Sequence, residues 1–222
     1  SAGSDDIPPF VLKGLYEVLA KPLLHIFNLS LQTCTYPCKW KTAVVIPIPK
    51  TGAKGEIEMQ RPISLLNSFS KLFETILHKP IQNHFLPLAS EAQHGFIPRR
   101  SIVTNLVSYT QVISQALDDG AEIHCIYTDF EKAFDRVNHD LLLSKLWSYG
   151  FSLSLIQLFA SYLRERPHIV SFLCTKSAFY YATSGVPQGA VLGPDFFDYF
   201  INDAPSTLVT SKSFLFCDDW KI

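Results

Sequence analysis

Three carboxylates stand where they could do chemistry. Asp129 closes the apolar run EIHCIYTDF, and Asp218 and Asp219 follow the apolar run SFLFC. Adjacent acids at the end of such a strand are costly, because like charges repel and each resists desolvation. A divalent cation removes the conflict, and Mg²⁺ is usually held by one or two carboxylates together with substrate phosphates. If the two strands are neighbours, Asp129 and Asp218 face each other across the sheet. They could then clamp two ions ~3.5–4 Å apart, the arrangement that drives in-line phosphoryl transfer. The acids alone fit a second reading equally well, in which Asp218-Asp219 opens a solvent-exposed turn.

The elements that must carry these acids follow from periodicity and punctuation. Asp5 or Asp6 caps a helix whose first turn tolerates Pro8 and Pro9. Pro22 opens a second helix, with Leu23, Leu24, Phe27 and Leu31 on one face. Thr42 to Lys50 is β-branched and alternating, a strand whose two prolines suit an edge or a hairpin arm. TGAKGEIEMQ is an exposed loop, and RPISLL is the returning arm. A helix from Asn67 to Leu88 is interrupted near Pro80. Ser101 caps the next, in which Val103, Leu106, Val107, Ile113 and Leu117 keep a 3.6-residue period up to Gly120. EIHCIYTDF reads as a buried strand. Helices follow over Lys132 to Tyr149 and Ser152 to Arg164. HIVSFLC and AFYYATS are strands joined by a turn at Thr175 to Ser177. After the turn-rich GVPQGAVLGP come a helix through FFDYFIND and a last strand, SFLFC. Strands and helices in this order give an α+β fold, an antiparallel sheet backed by helices.

Bulk properties exclude several classes. Hydrophobic residues make up 47% and charged residues 18% of 222, a balance that supports a core and not a disordered chain. No apolar run reaches the ~18 residues of a membrane span, and the N-terminus is not built like a signal peptide. The five cysteines are odd in number, which suits reduced thiols, and Cys34 and Cys38 lack the second pair a structural zinc site needs. The formal charge of −1 leaves no surplus to neutralise phosphates, so a nucleic-acid grip rests on local clusters or on residues outside this chain. The missing initiator Met and the abrupt end at Ile222 suggest a piece of a longer polypeptide.

Seven segments in order carry a more specific message: WKTAVVIPIPK, RPISLL, QHGFIPRRS, TDFEKAFDRVNH, SGVPQGAVLGP, FINDAP and FCDD. Together they resemble the reverse transcriptases of non-LTR (LINE-type, Jockey-like) retrotransposons, over roughly Gly3 to Ile222. The resemblance implies a right-hand polymerase fold, with a fingers-like region at 1–121 and a palm at 122–222. It implies an RNA-directed DNA polymerase that extends a DNA primer on an RNA template from dNTPs. Two Mg²⁺ ions, or Mn²⁺ in their place, would sit on Asp129, the carbonyl of Phe130, Asp218 and, less directly, Asp219. Lys50 and Arg61, on the two hairpin arms, match the basic residues that bind the triphosphate. Phe134 matches the gate that rejects a 2′-hydroxyl. Gln188 and Gly189 match the motif lying against the nucleotide, with Gly185 and Gly189 letting backbone approach the ligand. Arg99 and Arg100 are candidate template contacts.

The chain departs from the family pattern at Gln60, Ala190, Asp195, Asp198, Cys217 and Trp220, none of them a metal ligand. The resemblance also expects the return strand after Asp218-Asp219, the thumb and an endonuclease region beyond Ile222. That would leave the edge beside SFLFC unpaired. The alternative to an enzyme is a decayed fragment without catalysis, at most a nucleic-acid-binding module. An RNA-dependent RNA polymerase shares the acids but fits Phe134 and the PQG motif poorly.

Overall fold

Helix α1 (Pro9–Gly14) starts at its proline, where the missing N–H would have no partner in any case. Pro8 occupies the capping position, not Asp5 or Asp6. Asp5 instead accepts a bond from the Ile7 N–H at 3.3 Å, and Asp6 is left-handed at φ 53°. Helix α2 (Tyr16–Thr33) runs through Pro22 rather than beginning there. The ring costs one helix bond, and the burial of Leu23 and Phe27 offsets it, while Leu24 and Leu31 remain exposed. The computed structural model describes residues 3–49, 60–173 and 175–222, so Lys50 and the expected loop up to Met59 lie outside the described residues.

Helix α3 (Cys38–Lys41) places Trp40 in the core, and strands β1 (Ala43–Pro49) and β2 (Gln60–Leu66) form the expected hairpin arms. Asn67 caps helix α4 (Ser68–Phe85), its Oδ1 accepting from the Phe69 N–H at 2.8 Å. The helix passes Pro80 without the expected interruption, because Phe73, Leu77, Ile81 and Phe85 form one buried row at four-residue spacing. Ser101 caps α5 (Ile102–Asp118) in a reciprocal box with Thr104. The period of α5 makes a helix, yet Val103, Leu106, Val107 and Leu117 are exposed and Asn105 is its one fully buried residue.

The second half comprises β3 (Tyr127–Asp129), α6 (His139–Ser148), α7 (Leu153–Leu163), β4 (Arg166–Phe172), β5 (Thr175–Lys176), β6 (Tyr180–Ala182), α8 (Gly193–Ile201), β7 (Phe214–Phe216) and β8 (Asp219–Lys221). The supposed turn at Thr175 thus begins with the short β5. EIHCIYTDF is a strand only over its last residues before Phe130, and it is not buried: Tyr127 is 65% exposed. Apolar composition suggested burial, but β3 is an edge strand, and its Tyr127 ring meets Tyr109 edge-on.

Two sheets result. The larger has the order β2-β1-β4-β5, with β6 also on β4. It draws two strands from before residue 121 and three from after it, and its one parallel pair joins Ala43–Val45 of β1 to β4. Pro47 and Pro49 fall beyond that pairing, where a missing N–H costs no ladder bond. The smaller sheet is antiparallel throughout, in the order β3-β8-β7. Its middle strand, β8, is the return strand expected beyond Ile222. The outer edge of β7 is not left bare either: the Leu215 N–H donates to the Ala92 carbonyl and His94 N–H to the Leu215 carbonyl, both at 2.8 Å.

A separate small cluster of Ala43, Leu66 and Ala190 sits at the base of the β1–β2 hairpin. The main apolar core draws on α2, α4, α6, α7 and α8 and reaches the smaller sheet at Leu215. Rings dominate it: Phe27 stacks on Phe73 at 4.7 Å, Phe159 meets Phe196 edge-on at 5.1 Å, and Phe85 meets Tyr199 at 4.1 Å. Leu215 is wholly buried and roots β7 in this core.

Candidate active site

The acids are placed by a hairpin. β7 and β8 pair with Phe216 opposite Asp219, and β8 pairs with β3 so that Asp129 is opposite Asp219. Opposed residues of an antiparallel pair project to the same face, so these two carboxylates share a side of the sheet. The expected facing pair was Asp129 and Asp218. Because the return strand lies between β3 and β7, Asp219 takes that place and Asp218 sits in the connecting turn.

Cys217 makes the turn possible by adopting a left-handed φ of 56°, a conformation that costs a side-chain-bearing residue free energy. Two buried polar residues hold the hairpin around it. The Gln93 amide oxygen accepts from the Cys217 N–H at 3.0 Å, and its nitrogen donates to the Cys217 carbonyl at 3.2 Å. Asn105, from α5, donates to the Leu215 carbonyl at 3.0 Å and accepts from the Lys221 ammonium at 3.2 Å. Sequence reading named neither side chain. Arg100, a candidate template contact, is instead turned inward, donating to the Ser90 and Gln93 carbonyls at 2.6 Å each.

The electrostatics are those of crowded acids. Burial, then the charges of Asp219 and Asp129, hold the Asp218 carboxyl above its usual range, while a bond to its own backbone N–H and the Arg61 guanidinium oppose the shift. Burial pushes the Cys217 thiol up to about 12, with Asp198, Asp218 and Asp219 adding to it. Beneath the turn, α8 buries two further acids. Asp195 bonds His78 Nδ1 at 2.6 Å, and burial pushes its carboxyl up to about 6 against the pull of His78. Asp198, 3% exposed and with one oxygen unpartnered, is pushed up to about 8 by burial and by Asp195.

Of the expected nucleotide-binding residues, Lys50 lies outside the described residues, and the Gln188–Asp135 bond brings the loop of Gln188 and Gly189 to the turn that carries Phe134. Arg61 is exposed on β2, opposite Ile48, and is near enough for its charge to act on Asp218. Phe134 is half-buried in a 3₁₀ turn and stacks on Phe197 at 4.4 Å. Gln188 donates from its side chain to Asp135 at 3.0 Å and accepts from the Ser64 N–H through its carbonyl at 2.7 Å. Gly189 and Gly185 have φ of 111° and 87°, and an added Cβ would lie 2.7 Å from the Ser64 carbonyl oxygen and 2.6 Å from that of Asp135. The close approach that these glycines permit is to the chain's own backbone.

Two hollows mark these regions. One of about 360 Å³ is lined by Ile102, Asp129, Phe216, Asp219 and Trp220 among others, and one of about 410 Å³ by Pro62, Ser64, Asp135, Arg166 and Gln188 among others. These two hollows share no lining residue. Among the described residues, no three His, Cys, Asp or Glu side chains are gathered closely enough to hold an ion. The donors do fit a hard cation that is completed by substrate phosphates, since that arrangement needs only one or two carboxylates. Asp218, pressed by two neighbouring negative charges, is where such an ion would relieve most repulsion.

Glu74 is another residue that sequence reading passed over. It is wholly buried, accepts from the Val191 and Leu192 N–H groups at 2.8 and 3.2 Å, and so ties α4 to the start of α8 just after Gln188. Burial pushes its carboxyl up, and the Arg166 guanidinium and these bonds oppose the shift.

Comparison with known proteins adds a family pattern. The model of the family described as reverse transcriptase (RNA-dependent DNA polymerase) matches residues 48–222. The chain is 35% identical over 211 residues to the probable RNA-directed DNA polymerase from transposon BS of Drosophila melanogaster, covering 92% of this chain and 23% of that protein. It is 32% identical over 211 residues to the RNA-directed DNA polymerase from mobile element jockey of the same species, covering 92% and 22%. The chain therefore spans about a quarter of the length of the curated relatives it matches. Among solved structures, it is similar to telomerase from Candida albicans in complex with the TWJ fragment of telomeric RNA. The TM-score is 0.61 at 14% identity, over 97% of this chain and 42% of that one. Apo telomerase from Candida tropicalis gives a TM-score of 0.59 at 13% identity, over 84% and 44%. At such identities the likeness is one of fold.

Proposed function

The chain belongs to the reverse transcriptase (RNA-dependent DNA polymerase) family, and from that premise we propose that it holds the nucleotidyl-transfer centre of a non-LTR retrotransposon polymerase. The observation that carries this reading is the β3–β8–β7 hairpin arrangement, with Asp129 in register with Asp219 and Asp218 in the turn between them. The fingers-like region is 1–121 and the palm 122–222, with the β1–β4 pairing tying the two together.

Reverse transcriptases use divalent metal ions. In this reading Asp129, Asp218, the Phe130 carbonyl and, less directly, Asp219 would hold two Mg²⁺ ions, or Mn²⁺ in their place. Bound there, the ions would supply a lowered pKa for the primer 3′-hydroxyl and charge neutralisation for the leaving pyrophosphate. The chain's own residues do the rest. Arg61 and Lys50 bind the triphosphate of the incoming dNTP, Arg61 as a planar fork and Lys50 as a point charge. Phe134, held flat by Phe197, packs under the sugar and rejects a 2′-hydroxyl. Gln188 and Gly189 line the nucleotide, their loop fixed by Ser64 and Asp135. The partners are an RNA template and a DNA primer, and the thumb and endonuclease regions belong to the longer polypeptide.

Primer extension on an RNA template with dNTPs and Mg²⁺ or Mn²⁺ tests the proposal. This chain is run beside a form extended to the relatives' length, each also carrying Asp129→Asn or Asp218→Asn. Synthesis by the extended form, lost in both variants, is the expected result. Near wild-type synthesis in either variant removes the metal-ligand assignment. Salt-dependent RNA binding with no synthesis by a folded extended form returns the chain to a non-catalytic binding module.

A further inference from the structure

We infer that Gln93 is a positioning residue that sets the turn presenting Asp218. The inference rests on the metal-binding reading of Asp218, but its geometry is independent of it. Gln93 is 2% exposed and lies 124 residues from the turn that it grips. Two N–H groups, those of Cys217 at 3.0 Å and Gly95 at 2.7 Å, converge on one end of its side chain. Both are donors, so that end is the amide oxygen. The other end then donates to the Cys217 carbonyl at 3.2 Å, as the amide nitrogen must. Both backbone polar groups of a single residue are thus satisfied by one side chain.

That residue needs the help. Cys217 is left-handed at φ 56°, and at the close of β7 its peptide groups turn away from the ladder. Without Gln93, the N–H groups of Cys217 and Gly95 and the carbonyl of Cys217 would lose their partners, and the chain could relax to an extended conformation at Cys217. A change there swings every atom that follows, beginning with Asp218. The neighbouring backbone is fitted to the same purpose. A Cβ at Gly95 would lie 2.5 Å from the Cys217 sulfur and closer still to its nitrogen, so glycine is what lets the Gly95 bend and the Cys217 turn approach. The bonds from Leu215 to Ala92 and from His94 to Leu215 set the register of this contact. QHGF is therefore a bracket for the acid-bearing turn, supplying Gln93 and Gly95 to it.

The test compares Gln93→Leu, Gln93→Glu and the double variant Gln93→Leu with Cys217→Gly in the full 222-residue chain. Two quantities are read: amide hydrogen exchange at Cys217, and Mn²⁺ affinity from the free-ion electron paramagnetic resonance signal, with Asp218→Asn as the control. Gln93→Leu is expected to speed exchange at Cys217 by about ten-fold and to weaken Mn²⁺ by about ten-fold. Glycine adopts positive φ freely, so Cys217→Gly is expected to restore Mn²⁺ affinity in the double variant while exchange stays fast. Gln93→Glu keeps the acceptor but not the donor and is expected to fall between, which also serves if Gln93→Leu does not fold. Unchanged exchange at Cys217 in both single variants overturns the bracket. Weakened Mn²⁺ that Cys217→Gly does not recover overturns the positioning role and leaves Gln93 as packing. If Asp218→Asn leaves Mn²⁺ binding unchanged, the metal reading has failed instead, and exchange at Cys217 alone decides for or against Gln93.

Discussion

Asp129 and Asp219 are directly opposed partners of the β3–β8 pair, two exposed carboxylates on one face of a three-stranded sheet. Like charges in that relation destabilise a sheet, by roughly 0.5 kcal/mol for an exposed pair. Nothing in the packing of so short a strand requires an acid at either position. The repulsion is a cost that a bound cation would remove, which makes it measurable without any polymerase assay.

Asp219→Asn should therefore stabilise the chain by about 0.5 kcal/mol in EDTA at low salt. The advantage should shrink when Mg²⁺ or Mn²⁺ is added, because the wild type gains from the ion what the variant gained from the substitution. Urea unfolding with and without the ions reads both effects. A variant that keeps its full advantage in saturating Mn²⁺ would mean that the ion does not sit between these strands.

Much of this hairpin was legible beforehand, and what was missed has a physical cause. The apolar runs ending in Asp129 and in Asp218-Asp219 marked the two strands, and the capping residues Asn67 and Ser101 stand where helices begin. The return strand was not legible, because Asp219-Trp220-Lys221 is too short to show alternation. That single omission moved the facing pair from Asp219 to Asp218. The exposure of β3 was missed because composition reports apolar character, whereas an edge position is decided by pairing with strands some ninety residues away. Gln93 lies in a segment that the family resemblance marks, but nothing local gave its role, and Glu74 left no local signal at all. Each is a polar residue whose meaning lies in a contact more than a hundred residues distant.

Glu74 should be among the most costly side chains to remove. Glu74→Ala leaves the Val191 and Leu192 N–H groups and the Ser70 hydroxyl without their acceptor, inside the core. It also strips Arg166 of its balancing charge. A loss of about 3 kcal/mol is expected, read as the urea midpoint at constant slope. A loss below about 1 kcal/mol would show that the start of α8 does not depend on this tie.

The buried pair on α8 makes stability depend on pH. Asp198 is pushed from an ordinary 3.8 up to about 8 and Asp195 up to about 6, so the folded chain keeps protons that the unfolded chain releases. A raised carboxyl contributes stability that is fully present below pH ~4 and lost as pH rises toward the folded value. Taken alone, these groups make the chain less stable at pH 8 than at pH 5. Asp198→Asn removes the larger part of that slope and should be more stable than wild type at pH 8 by about 2 kcal/mol. Thermal unfolding of both forms across pH 5–8 checks it, and parallel profiles for the two would contradict the assignment.

Phe134 is asked to do two things that one substitution separates. Its ring stacks on Phe197 at 4.4 Å and is half-buried, so Phe134→Ala should cost about 2 kcal/mol of stability, less than the ~3–5 kcal/mol of a fully buried ring. If the ring also lies under the sugar, the same variant in an extended, active form should admit ribonucleotides, while Phe134→Tyr should keep both stability and discrimination. Primer extension with matched dNTP and NTP pairs gives the ratio directly. Lost stability with unchanged sugar discrimination would leave Phe134 as a core residue beside α8 and place the gate elsewhere.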